Sequence, residues 1–149
     1  QLNLEPQYLE LELSENIIIN DDDKNIIDAV KVLSNAGVQI ALDDFGTGYS
    51  NLSQIHRLPL SILKLDKSFM PRENMTKQDE QLILDIALIA KSIGVQALAE
   101  GVETSEVHDF ITSIGITYSQ GYLYAPAMPE VEFWNWVRER TQGGSLATV

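Results

Sequence analysis

The sequence contains no cysteine, which excludes disulfide bonds, thiolate zinc sites and a cysteine nucleophile. Basic residues are also scarce, since 10 Lys and Arg stand against 22 Asp and Glu and the formal net charge is -12. Phosphate backbones and anionic lipid headgroups attract basic surfaces, so this balance argues against binding of polymeric nucleic acid or of a membrane surface. Any metal ion would have to be held by oxygen or histidine ligands.

Long apolar runs are missing as well, and residues 86–90, among the longest, fall far short of the roughly 20 residues that span a bilayer. No basic segment precedes an apolar stretch at the start, so the sequence predicts neither a signal peptide nor a transmembrane helix. The chain begins at Gln1 without an initiator methionine, and a strand-like stretch follows within a few residues. We therefore expect a segment of a longer protein, and one that makes no membrane contact itself.

Short β-rich apolar runs alternate with longer helical periodicities along the chain. The pattern predicts strands at residues 8–13, 38–42, 61–65, 95–99 and 116–123. It predicts helices at residues 24–35, 50–57, 78–93 and 105–114, and a last helix from residue 129 onward. This alternation indicates right-handed βαβ crossovers and a parallel sheet covered by helices, which is an α/β fold.

The helical periodicity also predicts which side chains face the core. For residues 78–93 the predicted inward side chains are Leu82, Ile86, Ile89 and Ile93. For residues 105–114 they are Val107, Phe110, Ile111 and Ile114. Residues 141–149, which include two consecutive glycines, are expected to form a flexible tail.

The parallel sheet could be an open doubly wound sheet or part of a barrel. A G-x-G-x-x-G motif after the first strand would favour the open sheet, and it is absent. In a (β/α)8 barrel the functional groups cluster at the carboxyl ends of the strands. Every predicted strand here ends in polar residues, which are Glu12 and Glu15, Asp43 and Asp44, Lys64 and Asp66, Glu100 and Glu103, and Gln120. A whole barrel has eight strands and about 250 residues, so we predict a partial (β/α)8 TIM-like barrel of about five βα units with parallel strands.

These strand ends would bring at least four carboxylates and one lysine to one rim. Like charges held close together need a cation or a raised pKa, so a divalent-metal site is the simplest interpretation, and all-oxygen ligands favour Mg²⁺ or Mn²⁺ over zinc. Adjacent Asp43 and Asp44 are suited to bridging two ions, and Lys64 to orienting a water molecule. The alternative is that the aspartate pair only shapes a turn and a helix cap, and the spacing of the pair does not decide between the two.

Five motifs occur along the chain in a fixed order. They are ELSE at residues 12–15, DDFGTGYS at 43–50 with the loop residues Gly46, Thr47 and Gly48, KLDKSF at 64–69, AEGVET at 99–104, and QGYL at 120–123. Together they resemble the EAL domain family, the bacterial cyclic di-GMP phosphodiesterases. The resemblance runs from about residue 4 to residue 137.

The resemblance implies a hydrolase of bacterial signalling that cleaves a phosphodiester bond of the second messenger cyclic di-GMP, giving linear pGpG, with two Mg²⁺ or Mn²⁺ ions and in the cytoplasm. It implies four metal ligands, namely Glu12, Asp43 as the bridging carboxylate, Asp44 and Glu100. It also implies that Lys64 holds the attacking water and that Lys64 and Glu100 are catalytic. The residues implied to support the substrate, the ligands or the loop are Glu15, Asp66, Glu103 and Gln120.

The Glu-Ala-Leu motif that names the family is absent, because its strand and the next, which carries a metal-binding asparagine, would lie before Gln1. We therefore expect residues 1–140 to be the C-terminal part of the domain and the isolated chain to be inactive. The unpaired edges of a partial barrel predict self-association, as a dimer or by domain swapping. Thr117 and Ala127 also depart from the aspartate and proline that are usual in the family.

Two alternatives remain at this point. The chain could be a degenerate EAL module that binds cyclic di-GMP or a protein partner without hydrolysis. Retention of the carboxylates and of Lys64 favours an active parent over that alternative. Without the resemblance, an enolase-like barrel with Lys64 as a base beside carboxylate-held Mg²⁺ is the other candidate, and the Asp43–Asp44 pair fits it poorly.

Overall fold

The computed structural model describes residues 4–15, 24–47, 55–71 and 75–142, and these form a five-stranded parallel sheet. The strands are β1 (Glu10–Ser14), β2 (Gln39–Phe45), β3 (Ile62–Leu65), β4 (Gln96–Ala99) and β5 (Tyr118–Ser119). They lie side by side in chain order, and every neighbouring pair is parallel. Successive parallel strands in chain order are the arrangement of consecutive βα units in a barrel.

Helices follow or separate the strands, as the periodicity predicts. The described helices are α1 (Lys24–Asn35), α2 (Lys77–Ile93), α3 (Ser105–Ser113) and α4 (Glu130–Gln142). The predicted helix at residues 50–57 lies mostly outside the described residues. Within the described ranges, none of the helices combines the length and the apolar character needed to cross a bilayer.

The two faces of the sheet have opposite character because successive side chains of a strand point to opposite faces. On one face, Leu42, Leu63 and Leu65 are fully buried in the main hydrophobic cluster, which also contains residues of α2 and α3. A smaller cluster joins Leu13 of β1 to Val30 of α1. Side chains that alternate with these leucines, such as that of Lys64, point to the other face. That face carries the polar side chains at the carboxyl ends of the strands.

In helix α2 the periodicity predicts the buried face only in part. Its buried residues are Ile83, Ile86 and Ala90, whereas Leu82, predicted to face inward, is 46% exposed. Apolar side chains occur around most of this helix, so several stripes satisfy the same spacing and the packing partner decides which one is buried. In α3 the prediction is confirmed, since Val107 and Ile111 are buried and the other two predicted residues pack against the same cluster.

Strand β5 is much shorter than the predicted 116–123. After Ser119 the chain turns, and the N–H of Leu123 donates to the carbonyl oxygen of Val102 at 3.0 Å. The first strand also starts later than predicted, because Pro6–Tyr8 form a 3-10 turn before β1. Both differences arise from local hydrogen bonds that apolar patterning does not encode.

Candidate functional site

Three carboxylates, on β1, on β2 and directly after β4, surround one ammonium group at the carboxyl ends of the sheet. The Nζ atom of Lys64 lies 2.6 Å from Oε1 of Glu12, 2.8 Å from Oε1 of Glu100 and 3.0 Å from Oδ1 of Asp43. The lysine side chain is only 6% exposed, while that of Glu12 is 51% exposed. The site therefore opens to solvent on the β1 side and is closed beneath the lysine.

A bulge in β2 presents two aspartates to one lysine. Leu42 pairs with Leu63 and Phe45 with Leu65, so β2 contains one more residue than β3 over this stretch. Two residues then oppose one on the neighbouring strand, and here Asp43 and Asp44 lie opposite Lys64. Asp44 takes a left-handed backbone conformation with φ of 56° and is exposed. The bulge is the local feature that keeps both aspartates at the rim.

The surroundings keep Lys64 charged. Burial lowers the pKa of its ammonium group, but the contacts with the carboxylates of Glu100, Glu12 and Asp43 outweigh burial and raise the pKa above its usual value. Glu12, Asp43 and Glu100 carry three negative charges against one positive charge. The cluster thus keeps an excess of negative charge, which favours a further cation.

The oxygens of this cluster have the chemistry of a Mg²⁺ or Mn²⁺ site. Oδ1 of Asp43 is buried and accepts no hydrogen bond from the described residues, although it lies close to the lysine nitrogen. Hard divalent cations prefer such carboxylate oxygens. Within the described ranges, however, no group of three or more acidic or histidine side chains lies close enough together to hold a metal ion. The centre between these carboxylates is filled by Nζ of Lys64.

Two further predicted residues support the rim. Oε2 of Glu15, which is 2% exposed, accepts a hydrogen bond from the backbone N–H of Gly46 at 3.2 Å. Gly46 has φ of 93°, and a Cβ there would lie 2.7 Å from Cζ of Phe69. Nε2 of Gln120 donates to Oε1 of Glu100 at 2.8 Å, the same oxygen that contacts Lys64. Glu15 thus fixes the loop after β2, and Gln120 orients one carboxylate of the cluster.

The remaining predicted residues lie outside the cluster around Lys64. Asp66 caps the turn at Lys67–Phe69, where its Oδ1 accepts from the N–H of Ser68 at 2.9 Å. Hydrogen bonds from Ser68, the one from its side chain foremost, lower the pKa of the aspartate. Glu103 is exposed. Both the N–H and the hydroxyl of Thr47 donate to the carbonyl oxygen of Asp44. Gly48 lies outside the described residues.

Sequence reasoning missed the contact that holds the loops after β4 and β5 together. The N–H of Val102 donates to the carbonyl oxygen of Gln120, and a Cβ on Gly121 would lie 2.1 Å from the carbonyl oxygen of Val102. A hydrogen-bonded chain from Ser119 through the hydroxyl of Tyr124 to Nδ1 of His108 lies nearby. The glycine directly after Gln120 was the available signal, because close backbone approach often requires glycine.

A sheet of consecutive parallel strands with acidic residues and a lysine at its carboxyl edge defines a partial (β/α)8 barrel with a candidate metal-dependent site. Residues 1–127 match the EAL domain family. The chain therefore belongs to the EAL domain family.

Named relatives agree with this assignment. The cyclic di-GMP phosphodiesterase PdeR of Escherichia coli is 37% identical over 138 residues, which are 93% of this chain and 21% of PdeR. The structure of the PaMucR phosphodiesterase in complex with c-di-GMP is 36% identical with a TM-score of 0.81, covering 87% of this chain and 52% of that one. A manganese and cyclic di-GMP complex of Klebsiella pneumoniae BlrP1 is 30% identical with a TM-score of 0.72, covering 83% of this chain and 31% of that one.

These similarities confirm the predicted family and the predicted partial barrel with parallel strands. The chain spans about a fifth of the length of PdeR and about half of the PaMucR chain. It is therefore similar to one part of those proteins, and the activity of a whole protein is a matter for proposal.

Proposed function

We propose that this chain supplies the C-terminal five βα units, residues 1–140, of a domain that hydrolyses cyclic di-GMP to pGpG. The observation that carries the proposal is the convergence of Glu12, Asp43 and Glu100 around Lys64 at the carboxyl ends of neighbouring parallel strands. The family match and relatives named as cyclic di-GMP phosphodiesterases support the substrate class. We also propose that the domain acts in the cytoplasm.

The proposed metal ligands are Glu12, Asp43, Asp44 and Glu100, with Mg²⁺ or Mn²⁺ as the ion. When bound, such ions neutralise phosphodiester charge and acidify a coordinated water. Lys64 would position the attacking water from beneath, because its ammonium is buried and fixed between strands. Gln120 holds the Glu100 carboxylate in place, and Glu15 holds the loop that begins at Asp43.

Metal binding is tested on the purified 149-residue chain by calorimetric titration with Mn²⁺. We expect binding that Asp43→Asn weakens at least tenfold, because that carboxylate lies at the centre of the rim. The matched control is Asp109→Asn, an exposed aspartate of α3 that should leave binding unchanged. Equal affinity in all three proteins would remove the metal site from the proposal.

Catalysis is tested with cyclic di-GMP and Mn²⁺, following pGpG by chromatography. We expect the full-length gene product to release pGpG and its Asp43→Asn variant to lose that activity. We expect the isolated 149-residue chain to be inactive or nearly so, since ligands missing from a cooperative site cost orders of magnitude in rate. Rapid pGpG release by the homogeneous isolated chain would contradict the expectation that this chain alone is inactive. Metal-dependent dinucleotide binding without hydrolysis by the full-length product would instead favour a receptor.

The exposed sheet edges bear on the oligomeric state of the isolated chain. β1 and β5 form the two ends of the described sheet, and an edge strand offers unpaired N–H and carbonyl groups to another chain. We therefore propose that the 149-residue chain self-associates, as a dimer or by domain swapping. Sedimentation velocity measures this directly, and a monomer over the micromolar range would count against it.

A further inference from the structure

We propose that Lys64 is an internal counter-ion that occupies the carboxylate cluster until a divalent ion displaces it. This inference rests on the proposed function in one respect, which is that the rim binds Mg²⁺ or Mn²⁺. It adds that the lysine and the ion compete for the same oxygens.

The first step is the geometry of the ammonium group. An ammonium has three N–H donors and no acceptor, and Nζ of Lys64 contacts three carboxylates, those of Glu12, Asp43 and Glu100. Those carboxylates come from β1, from β2 and from the residue after β4, whereas the lysine is on β3 between them. The lysine therefore makes short ion-pair contacts with three of the residues proposed as metal ligands, and it donates a hydrogen bond to Glu12.

The second step is that the two cations do not fit together. Mg²⁺ demands carboxylate oxygens at about 2.0–2.1 Å in near-octahedral geometry. The oxygens now point at Nζ, which fills the space between the three carboxylates. A divalent ion bound there would also repel the ammonium at short range in a partly buried site. Nζ must therefore release at least one carboxylate when the ion binds.

The third step concerns how far the lysine can retreat. Lys64 is 5% exposed, and its backbone is held in β3 by pairing with β2 and β4. The ammonium can therefore move only as far as its side chain reaches from this fixed backbone, which keeps it near the rim. Because the ammonium is tethered beside the carboxylates, its effective concentration there is always high. It therefore competes effectively with a divalent ion for the same oxygens.

Removing the lysine charge should have opposite effects on the metal-free and metal-bound states. Lys64→Met keeps the apolar stem and removes the ammonium, so three carboxylates lose their counter-ion. We expect the metal-free variant to melt roughly 5 °C or more below the unmodified chain, because three neighbouring carboxylates then repel one another without a counter-ion. We expect its affinity for Mn²⁺ to rise roughly tenfold or more, because the ion no longer displaces a cation.

The experiment measures Mn²⁺ affinity by calorimetry and the melting temperature by circular dichroism, with and without Mn²⁺. Lys91→Met is the matched control, because Lys91 is an exposed lysine in the last turn of α2. It should change neither quantity appreciably. If Lys64→Met binds Mn²⁺ no more tightly than the unmodified chain, competition is wrong while the metal site stands. If no protein binds Mn²⁺, both the metal site and the competition are wrong.

A second measurement needs no substitution at the site and guards against misfolding of the variant. The side-chain ammonium signals of ¹⁵N-labelled lysine are followed by NMR during a Mg²⁺ titration of the unmodified 149-residue chain. We expect the hydrogen-bonded signal of Lys64 to shift with the same midpoint as Mg²⁺ binding, while the other lysine signals stay in place. A Lys64 signal that is unchanged at Mg²⁺ saturation overturns the proposal.

Discussion

Among the glycines in the described part of the chain, Gly121 is the one where the addition of one methyl group should do most damage. Its Cβ would lie 2.1 Å from the carbonyl oxygen and 2.3 Å from the nitrogen of Val102. Both are backbone atoms, so no side-chain rotation relieves the contact. The substitution Gly121→Ala therefore has to separate the loop after β4 from the loop after β5.

The size of this effect follows from the contacts that separation breaks. Two backbone hydrogen bonds join Val102 to the other loop at 3.0 Å, and losing them costs about 0.5–1.5 kcal/mol each. Overpacking of a tight contact adds roughly 1–3 kcal/mol. We expect Gly121→Ala to lower the free energy of unfolding by about 2–6 kcal/mol. At roughly 2–4 °C per kcal/mol for a chain of this size, the melting temperature should fall by roughly 4–24 °C.

The matched control separates crowding from backbone conformation. Gly94 ends α2 with φ of 75°, and a Cβ there would meet no atom within 4 Å. Gly94→Ala should therefore cost only the strain of a left-handed alanine, about 1–2 kcal/mol. Urea unfolding followed by far-ultraviolet circular dichroism compares the two variants. Equal stabilities of Gly121→Ala and Gly94→Ala would refute the crowding argument.

Three further substitutions test separate contacts. Glu15→Ala removes the buried carboxylate that accepts a hydrogen bond from the N–H of Gly46, so we expect a loss of about 1–3 kcal/mol and faster hydrogen exchange at that amide; unchanged exchange would contradict it. Thr76→Ala removes the side-chain cap of α2 and should cost about 1 kcal/mol in urea unfolding, with no loss if the cap is unimportant. Hydrogen bonds from Ser68, the one from its side chain foremost, lower the pKa of Asp66, so their contribution to stability is present above the unfolded pKa near 3.8 and is lost as the pH falls through the folded pKa. Asp66→Asn should therefore flatten the acid limb of a stability–pH curve, and an unaltered limb would show that Asp66 does not contribute to it.

The alternation of strands and helices was predictable because it depends on side-chain periodicity, which the sequence displays directly. The bulge at Asp43 and Asp44 was not, since an extra residue in one strand shows only in its pairing with the next. The short β5 was missed for a related reason. Its end is set by contacts of Gly121 with a loop far away in the sequence.

The sequence predicts which residues form the candidate site more fully than it predicts how they contact one another. Polar residues after buried strands identify Glu12, Asp43 and Glu100, because parallel strands bring their carboxyl ends to one edge. The relation of Lys64 to them was predicted only as a role toward water. Its three simultaneous contacts depend on strand order and register, which fix Lys64 on the strand between β2 and β4.

The charge of this site connects the lysine to the stability of the sheet. Glu12, Asp43 and Glu100 are brought together by strand pairing, and their mutual repulsion opposes that pairing. A lysine on the intervening strand β3 offsets the repulsion without any ligand. The same lysine must then weaken the binding of a divalent ion, because it stabilises the metal-free state. Lys64 thus stabilises the metal-free sheet and lowers its affinity for a divalent ion. The Lys64→Met variant measures both effects in one protein, since it should be less stable without metal and should bind Mn²⁺ more tightly.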